Sequence, residues 1–309
     1  MVKIMMDTPK SGHQSIYRYL RDDTDVFLSR SDTCLEIYRD RWQLSDISFL
    51  PASTVNLLFT CKSDRYGSCI LKLCIPGPEV ATEIGCLRAY DGSGYCKLWD
   101  FDRADNILLL ERVFPGDNLW AIGDFRKRAL LFGETLRDFP FHGDGAGHFP
   151  TYLTWMESTQ QKITRIGGLE EMIPYLVRAH DTYLELKQRQ SRACLLHGDL
   201  HQGNLLLNSS DGYTIIDPKG VIDDPVMETA RFLLNEIDRD GLDELRIKEI
   251  ATILSPLVNS SVEDILSALF IDTVLSKSWS MEEYYSSADA FTQAKHDATK
   301  TCSFVYDLL

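Results

Sequence analysis

Three polar side chains in the second half of the sequence have the types and the spacing to handle a metal-bound phosphate. Asp199 and Asn204 belong to the run HGDLHQGN at His197–Asn204, and Asp217 follows in the dipeptide Asp-Pro. Two carboxylates and an amide offer only oxygen ligands, which suit Mg²⁺ better than zinc. A carboxylate and an amide can hold Mg²⁺ on nucleotide phosphates, and the remaining carboxylate can then orient a substrate hydroxyl.

Short strands are predicted to position these groups. The strand pair Leu205–Leu207 and Tyr213–Ile216 returns the chain beside the HGDLHQGN run and so delivers Asp217. Upstream, two apolar runs at 55–61 and 68–74 surround a polar, glycine-containing turn, which predicts a hairpin.

The chain changes character near its first third. A helix is predicted over Glu79–Tyr90 and further strands over 95–99 and 106–113. Beyond a connector near 111–116, apolar residues recur mostly at helical spacing. These segments predict a small strand-rich lobe followed by a larger helical lobe.

Two details of the helical part bear on the site. Ser260 and Glu263 have the spacing of a capping box before an apolar helical face. The glycine-rich stretch His142–His148 lacks a Lys-Ser/Thr ending and a preceding strand, so it is predicted to be a loop rather than a phosphate cradle.

Composition narrows the class of protein. The chain has 309 residues with 32 basic and 46 acidic side chains, so its formal charge is −14. This excess of acid argues against nucleic-acid and anionic-membrane partners and suits a cationic small molecule. No signal peptide or long apolar run is present, and the eight cysteines form no C-x-x-C pair, so we expect a cytoplasmic protein with buried, reduced thiols.

The run at His197–Asn204, complete as H-G-D-x-H-x-x-N, resembles the motif of the aminoglycoside phosphotransferases. The string IIDPKG at 215–220 is similar to the streptomycin 6-phosphotransferase and hydroxyurea-kinase branch of that family. The segments 83–94 and 108–116 resemble a helix with its following turn and the connector of the same branch. The resemblance covers roughly residues 50–240.

The resemblance implies an α+β, two-lobed protein-kinase-like fold. A β-rich nucleotide-binding lobe with an N-terminal extension is expected at 1–112, and a mostly helical catalytic and substrate-binding lobe at 113–309. Neither a G-x-G-x-x-G loop nor the D-F-G, H-R-D and A-P-E strings of protein kinases occurs, which favours a small-molecule kinase. The implied cofactors are ATP (or GTP) and Mg²⁺.

The resemblance also implies roles for the polar residues of the motif. Asp199 matches the catalytic carboxylate, and Asn204 and Asp217 match the Mg²⁺ ligands. His201 either touches the transferring phosphate or packs as a loop histidine. Lys219 stays open between the loop surface and a phosphate contact.

The two histidines of the motif are not expected to bind zinc, because no third soft ligand accompanies them. His197 is predicted to bond the loop backbone rather than to act as a base.

The N-terminal half carries the remaining implied nucleotide contacts. Lys72 matches the phosphate-binding lysine, and Glu83 matches the helix glutamate that holds it, although Glu79 on the same helix is an alternative. Ser53 can touch phosphate weakly. The backbone that bonds the adenine edge is expected at Glu111, Arg112 and Val113.

The acceptor is expected to be an aminoglycoside-like antibiotic, with streptomycin first, whose phosphorylation confers resistance. Candidate acids for its cationic groups are Asp223, Asp224, Glu228, Asp272, Glu282 and Glu283. A metabolite or other small-alcohol kinase of the same fold, and a nucleotide-binding module without catalysis, are the alternatives. A monomer or weak dimer is expected.

Overall fold

Two units make up the chain, one ending at Gly116 and the other beginning at Asp117. This computed structural model describes residues 24–51, 56–143, 149–166, 169–284 and 288–309. The division lies after Gly116 rather than after Arg112, the predicted end of the first lobe. Gly116 has φ +84°, and a Cβ on it would lie 2.8 Å from the carbonyl oxygen of Val113. The connector therefore turns sharply at Gly116, which only glycine permits without strain.

The first unit is built on one antiparallel sheet. Its strands are β1 Leu44–Leu50, β2 Leu57–Ser63, β3 Gly67–Leu73, β4 Leu98–Asp102 and β5 Ile107–Glu111, in the order β1-β2-β3-β5-β4. The predicted hairpin is confirmed as β2 and β3, in which Leu58 pairs with Lys72. Because β3 lies between β2 and β5, Lys72 is on an interior strand.

In the described part of the first unit, two helices pack against the sheet. Helix α1, Thr24–Arg41, contributes Leu35 and Tyr38 to the core that includes Phe59 of β2. Helix α2, Pro78–Tyr90, buries Val80, Ile84 and Leu87 and confirms the helix predicted there. Glu83 lies on the same buried side of α2, which places its carboxylate inside the unit.

Short strands in the second unit support the loops that carry the motif residues. They are β6 Pro115–Asn118, at the boundary, β7 Cys194–Leu196, β8 Leu205–Asn208, β9 Tyr213–Ile215 and β10 Val221–Asp223. Strands β7 and β10 pair with each other, and β8 lies between β6 and β9. The loop 197–204 therefore joins β7 to β8, and the loop 216–220 joins β9 to β10. The predicted strand pair that delivers Asp217 is confirmed as β8 and β9.

Helices form the remainder of the second unit. They are α3 Phe125–Arg137, α4 Tyr152–Ile166, α5 Ile173–Arg189, α6 Glu228–Asp240, α7 Glu244–Val258, α8 Val262–Tyr284 and α9 Ala288–Tyr306. Helix α8 is buried on every side over 264–275, because α4, α5, α6, α7 and α9 all pack against it. The capping prediction is wrong by one residue: the hydroxyl of Ser261, rather than Ser260, accepts the backbone N–H of Asp264 at 3.0 Å.

Two whole-chain expectations can be compared with the fold. All eight cysteines are buried, reduced thiols, as predicted. Within the described residues no single helix has the length and apolar composition to cross a membrane, although the bent pair Glu244–Val258 and Val262–Met281 has both.

Candidate functional site

Lys72 and Glu83 form a buried ion pair in the first unit. The Nζ of Lys72 lies 2.7 Å from Oε1 of Glu83, and the two side chains are only 5% and 9% exposed. Glu79 lies exposed one turn earlier on α2. A lysine inside a protein is tolerated when its ammonium meets an opposite charge, and of the two candidate glutamates Glu83 supplies that charge.

The connector that follows β5 has its first peptide group already in use. The backbone N–H of Glu111 donates to the carbonyl of Lys97 at 2.8 Å, and the Glu111 carboxylate accepts the backbone N–H of Lys97 at 3.0 Å. The guanidinium of Arg112 lies over the ring of Phe114 at 4.8 Å. Of the three residues predicted to bond an adenine edge, Glu111 therefore has its backbone N–H already in use.

His197 holds the loop of the motif from within. Its Nε2 donates to the carbonyl of Ile216 at 2.8 Å, and its Nδ1 accepts the backbone N–H of Asp199 at 3.0 Å. Burial lowers the pKa of His197 to about 4, so the ring is neutral near pH 7 and this tautomer satisfies both bonds. His197 thus joins the two loops, as the sequence predicted.

Glu228, at the start of α6, supports the same loop from the other side. Its carboxylate accepts the backbone N–H groups of His197 and Gly198. Gly198 has φ +78°, and a Cβ there would lie 2.9 Å from the ring of Trp155 and 2.7 Å from Val221. Burial raises the pKa of Glu228 to about 8. The sequence made Glu228 a candidate for binding substrate, but the structure gives it to the loop backbone.

Asp199 lies between two cations. Nε of Arg231 is 3.2 Å from Oδ1, and Nζ of Lys219 is 3.8 Å from Oδ2. Burial by itself would raise the pKa of Asp199, but Arg231 and then Lys219 outweigh it and hold the pKa below its ordinary value. Its side chain is 25% exposed. Asp199 is therefore an ionised carboxylate that a small molecule can reach.

A 3₁₀ turn at Gln202–Asn204 orients the amide of Asn204. The Nδ2 group of Asn204 donates to the carbonyl of Asp199 at 3.0 Å. The turn begins at His201, whose Nδ1 accepts the backbone N–H of Gly203 at 3.0 Å. Burial lowers the pKa of His201, so near neutral pH it caps the turn as an uncharged ring. Because Nδ2 is bonded, Oδ1 of Asn204 is the amide atom left for a cation.

Asp217 sits in a backbone conformation that few side chains adopt. Its φ is +60°, and its neighbours fix it there: Ile216 donates its N–H to the carbonyl of Asn204 at 3.0 Å, and Lys219 and Gly220 donate theirs to the carbonyl of His197. Aspartate tolerates this left-handed conformation better than most residues, and the backbone bonds of its neighbours hold Asp217 in it.

The donors present fit a magnesium ion. Asp217 is exposed and Asn204 turns its amide oxygen away from its bonded nitrogen. One or two protein oxygens with phosphate and water completing the shell are the usual environment of Mg²⁺ in nucleotide enzymes. Within the described residues no group of three His, Cys, Asp or Glu side chains could hold a metal by itself.

Most of the acids predicted to bind a cationic acceptor are occupied inside the fold. Asp223 accepts from the hydroxyl of Tyr183 and the ammonium of Lys187, each at 2.8 Å, and Asp224 caps the 3₁₀ turn Pro225–Met227. Asp272 is fully buried against Arg231. With these bonds made, the geometry does not support acceptor binding by these carboxylates.

The side chains of three of the predicted contact residues lie outside the part of the chain that the structure describes. Ser53 lies outside the described residues, and the side chains of Glu282 and Glu283 lie outside the described part of α8.

Arg231 is the residue near Asp199 that sequence reasoning missed. It contacts Asp199 across 32 positions and Asp272 across 41. No local spacing connects residues so far apart, and an arginine on a helix is ordinarily solvent-exposed. One sequence signal for Arg231 exists: it lies three residues after Glu228 and therefore on the same face of α6, which faces the motif loop.

Curated relatives of this chain are small-molecule kinases. A curated hydroxyurea phosphotransferase from Kitasatospora aureofaciens is 31% identical over 172 residues, which span 53% of this chain and 49% of that protein. A streptomycin 6-kinase from Streptomyces glaucescens is 21% identical over 230 residues, 72% of each chain. The chain therefore aligns with about half the length of the first relative.

The fold and a family model extend the comparison over most of the chain. A solved choline/ethanolamine kinase family protein from Mesorhizobium loti has a TM-score of 0.64 at 13% identity, covering 89% of this chain and 94% of that one. This likeness shows the protein-kinase-like fold that the sequence predicted. The family model of the aminoglycoside/hydroxyurea antibiotic resistance kinases, which describes the sequences of that family, matches residues 41–283. The chain belongs to the aminoglycoside/hydroxyurea antibiotic resistance kinase family.

Proposed function

We propose that this protein transfers the γ-phosphoryl group of ATP to a hydroxyl of a small molecule, with an aminoglycoside-like antibiotic, streptomycin first, as the acceptor. The observation that carries this proposal is the state of Asp199. It is reachable, ionised by Arg231 and Lys219, and held one loop away from Asn204 and Asp217. Family membership supports the reaction class.

In the second unit, Asp199 would accept a hydrogen bond from the acceptor hydroxyl and so align its oxygen with the γ-phosphorus. As the new O–P bond forms, the bond from phosphorus to the β–γ bridging oxygen breaks, ADP leaves, and the hydroxyl proton passes to Asp199 and then to solvent. Alignment and charge stabilisation supply most of the catalysis in such reactions. Asn204 and Asp217 would hold Mg²⁺, which neutralises phosphate charge when bound.

In the first unit, Lys72 would bind phosphate oxygens. Its ammonium is held in one place by Glu83 at 2.7 Å, so it needs little reorganisation when nucleotide arrives. Beyond β5, the remaining peptide groups of Glu111, Arg112 and Val113 would bond the adenine edge, with the N–H of Glu111 already donated to Lys97.

A second class of acceptor, uncharged small molecules, is supported by the charges around Asp199. The groups that flank Asp199 are the cations Arg231 and Lys219, while Asp223 and Asp224 are bonded inside the fold. Arg231 and Lys219 are balanced by Asp199 and Asp272, so these four groups carry no surplus negative charge to attract a polycation and also leave room for an uncharged acceptor. Hydroxyurea is the uncharged candidate, since one relative carries its name. Other uncharged alcohols test the metabolite-kinase alternative.

The test measures phosphate transfer from labelled ATP, with Mg²⁺, to streptomycin, other aminoglycosides, hydroxyurea and common sugars. We expect phosphorylated product from an antibiotic acceptor. We also expect Asp199→Ala to lower turnover at least 1,000-fold, about the loss seen when a reacting group is removed, while the variant still binds ATP. Asp181→Ala, at a 70% exposed aspartate of α5, is the matched control and should keep full activity.

Two other outcomes would assign a different function to this protein. Phosphorylation of a neutral metabolite alone would replace the antibiotic acceptor with a metabolic one. ATP binding without transfer to any acceptor, in the wild-type protein as in Asp199→Ala, would identify a nucleotide-binding module.

A further inference from the structure

We propose that Lys219 is a catalytic residue that contacts the transferring phosphoryl group. This inference rests on the proposed function, because it assigns a phosphate contact to the same site. The sequence left Lys219 open between the loop surface and a phosphate contact. The contacts of its backbone, its ammonium and its neighbours favour the second.

The backbone of Lys219 is fixed. Its N–H donates to the carbonyl of His197 at 2.9 Å, and the N–H of Gly220 donates to the same oxygen at 3.1 Å. The loop of Lys219 is thereby joined to the loop that carries Asp199. A surface lysine on a mobile loop would have neither restraint, so the position of Lys219 relative to Asp199 is set by the fold.

The ammonium of Lys219 points toward Asp199 rather than into solvent. Its Nζ lies 3.8 Å from Oδ2 of Asp199 and 5.5 Å from the ring centre of Trp279, and the side chain is 31% exposed. Trp279 is itself held, because its Nε1 donates to Thr159 at 2.8 Å and its ring meets Trp155 edge-on. A fixed aromatic face under a lysine restricts where the ammonium can go.

Lys219 keeps its ammonium donors, whereas two nitrogens of its neighbour Arg231 are already bonded. Nη1 of Arg231 donates to Ser276 and Nη2 to Asp272, while its Nε lies within ion-pair distance of Asp199 and Asp272 without forming a hydrogen bond. The 3.8 Å separation of Lys219 from Asp199 is an ion-pair distance but too long for a hydrogen bond. Among the described residues no hydrogen bond to the Lys219 ammonium is formed, so three donors remain for phosphate oxygens.

The place of this ammonium matches where charge develops. A hydroxyl aligned by Asp199 attacks the γ-phosphorus, so the phosphoryl oxygens must come close to Asp199 and to a cation 3.8 Å from it. Lys219 is also two residues after Asp217, the proposed Mg²⁺ ligand. A preorganised donor on the transferring group lowers the barrier most when it adds no reorganisation. Lys219 has that arrangement, whereas His201 is bonded to Gly203 as a cap.

The first experiment needs no acceptor. Affinities for AMP-PNP and for ADP, each with Mg²⁺, are measured by calorimetry for the full chain and for Lys219→Met, Lys219→Arg and Lys248→Met. We expect Lys219→Met to weaken AMP-PNP relative to ADP by about tenfold or more, the value of one lost charge-assisted hydrogen bond. Lys219→Arg should recover part of the difference. Lys248, 44% exposed and paired with Glu244, is the control and should change nothing.

The outcomes separate the two proposals. A merely structural lysine would lower the melting temperature and weaken both nucleotides alike, and an unchanged AMP-PNP to ADP ratio in Lys219→Met overturns the phosphate contact while leaving the proposed function intact. A wild-type chain that binds neither nucleotide overturns both. With an active acceptor in hand, Lys219→Met should also lose about 100-fold or more in kcat with a smaller change in the KM for ATP.

Discussion

Glu83 carries a charge that the interior of the first unit tolerates because the ammonium of Lys72 lies 2.7 Å away. Replacing Glu83 by Gln keeps the shape but removes the carboxylate charge that lies 2.7 Å from the buried ammonium. Loss of one partner of a buried pair costs roughly 3–5 kcal/mol. We therefore expect Glu83→Gln to lower the free energy of unfolding by about that amount and to raise the KM for ATP, since Lys72 is no longer held.

Glu79 provides the matched control for this change. It lies on the same helix, one turn earlier, and is exposed. Glu79→Gln should change the free energy of unfolding by less than about 0.5 kcal/mol, as most exposed substitutions do, and should leave the KM for ATP unaltered. Equal effects of the two variants in urea unfolding and steady-state kinetics would contradict a specific role for Glu83.

At the scale of single residues, the sequence could predict which side chains meet when they lie close together along the chain. The positions of Asp199, Asn204 and Asp217 follow from one loop and one strand pair, and the structure links their loops through backbone bonds. It could not predict that Arg231 ionises Asp199, or that Glu228 serves the loop rather than a substrate. Those contacts depend on how α6 packs, which no short motif encodes.

At the scale of elements, helices α3 and α6 are joined by a buried arginine–glutamate pair. The guanidinium of Arg128 donates twice to Glu236, at 2.8 and 2.6 Å, and the side chains are 1% and 0% exposed. Glu236 also accepts the amide of Gln202, at the start of the turn that carries Asn204. We expect Arg128→Met to cost roughly 1–3 kcal/mol in unfolding free energy, because Glu236 loses two donated hydrogen bonds in a buried site while Arg246 still pairs with it.

Arg126 offers the same pairing without burial. It donates twice to Glu249, at 2.5 and 2.8 Å, but the two side chains are 57% and 40% exposed. Arg126→Met should cost no more than about 1 kcal/mol, since exposed pairs contribute little. Chemical denaturation of both variants measures the difference. A similar loss in both would mean that burial does not set the value of the Arg128 pair.

Element prediction succeeded where periodicity was strong and failed where it was weak. The β2–β3 hairpin and helix α2 have apolar residues at regular spacing, and both were found near their predicted bounds. Strand β1 was not delimited, because Leu44 is its one fully buried residue. The cap of α8 was misplaced by one residue because Ser260 and Ser261 are adjacent, and only the backbone decides which hydroxyl reaches the amide.

At the scale of the whole molecule, the charge of −14 says little about the acceptor. Net charge sums groups that the fold uses in different ways. Asp223, Asp224 and Asp272 are turned inward and bonded, whereas the groups that flank the reachable carboxylate Asp199 are cations. The expectation of a cationic acceptor therefore loses the support that overall acidity gave it, and the choice between acceptor classes belongs to the site.

Folding takes up a proton at Glu228, which makes stability fall with rising pH. Burial raises its pKa from an ordinary 4.5 to about 8, so between these values the folded state binds more protons than the unfolded state. His197 acts oppositely, because burial lowers its pKa from 6.5 to about 4 and its neutral folded form loses stability as pH falls below 6.5. The two slopes oppose each other below pH 6.5, and of these two groups Glu228 alone contributes a slope between 6.5 and 8.

In that upper window we expect the wild-type protein to lose stability as pH rises, with a slope approaching the one-proton limit of about 1.4 kcal/mol per pH unit. Glu228→Gln removes the titrating group, so its unfolding free energy, although lower overall, should be nearly flat from pH 6.5 to 8. Glu244→Gln, at a 58% exposed glutamate, should keep the wild-type slope. Urea unfolding at several pH values measures all three. If Glu228→Gln retains the wild-type slope, Glu228 is ionised throughout the window and the two backbone N–H groups it accepts outweigh its burial.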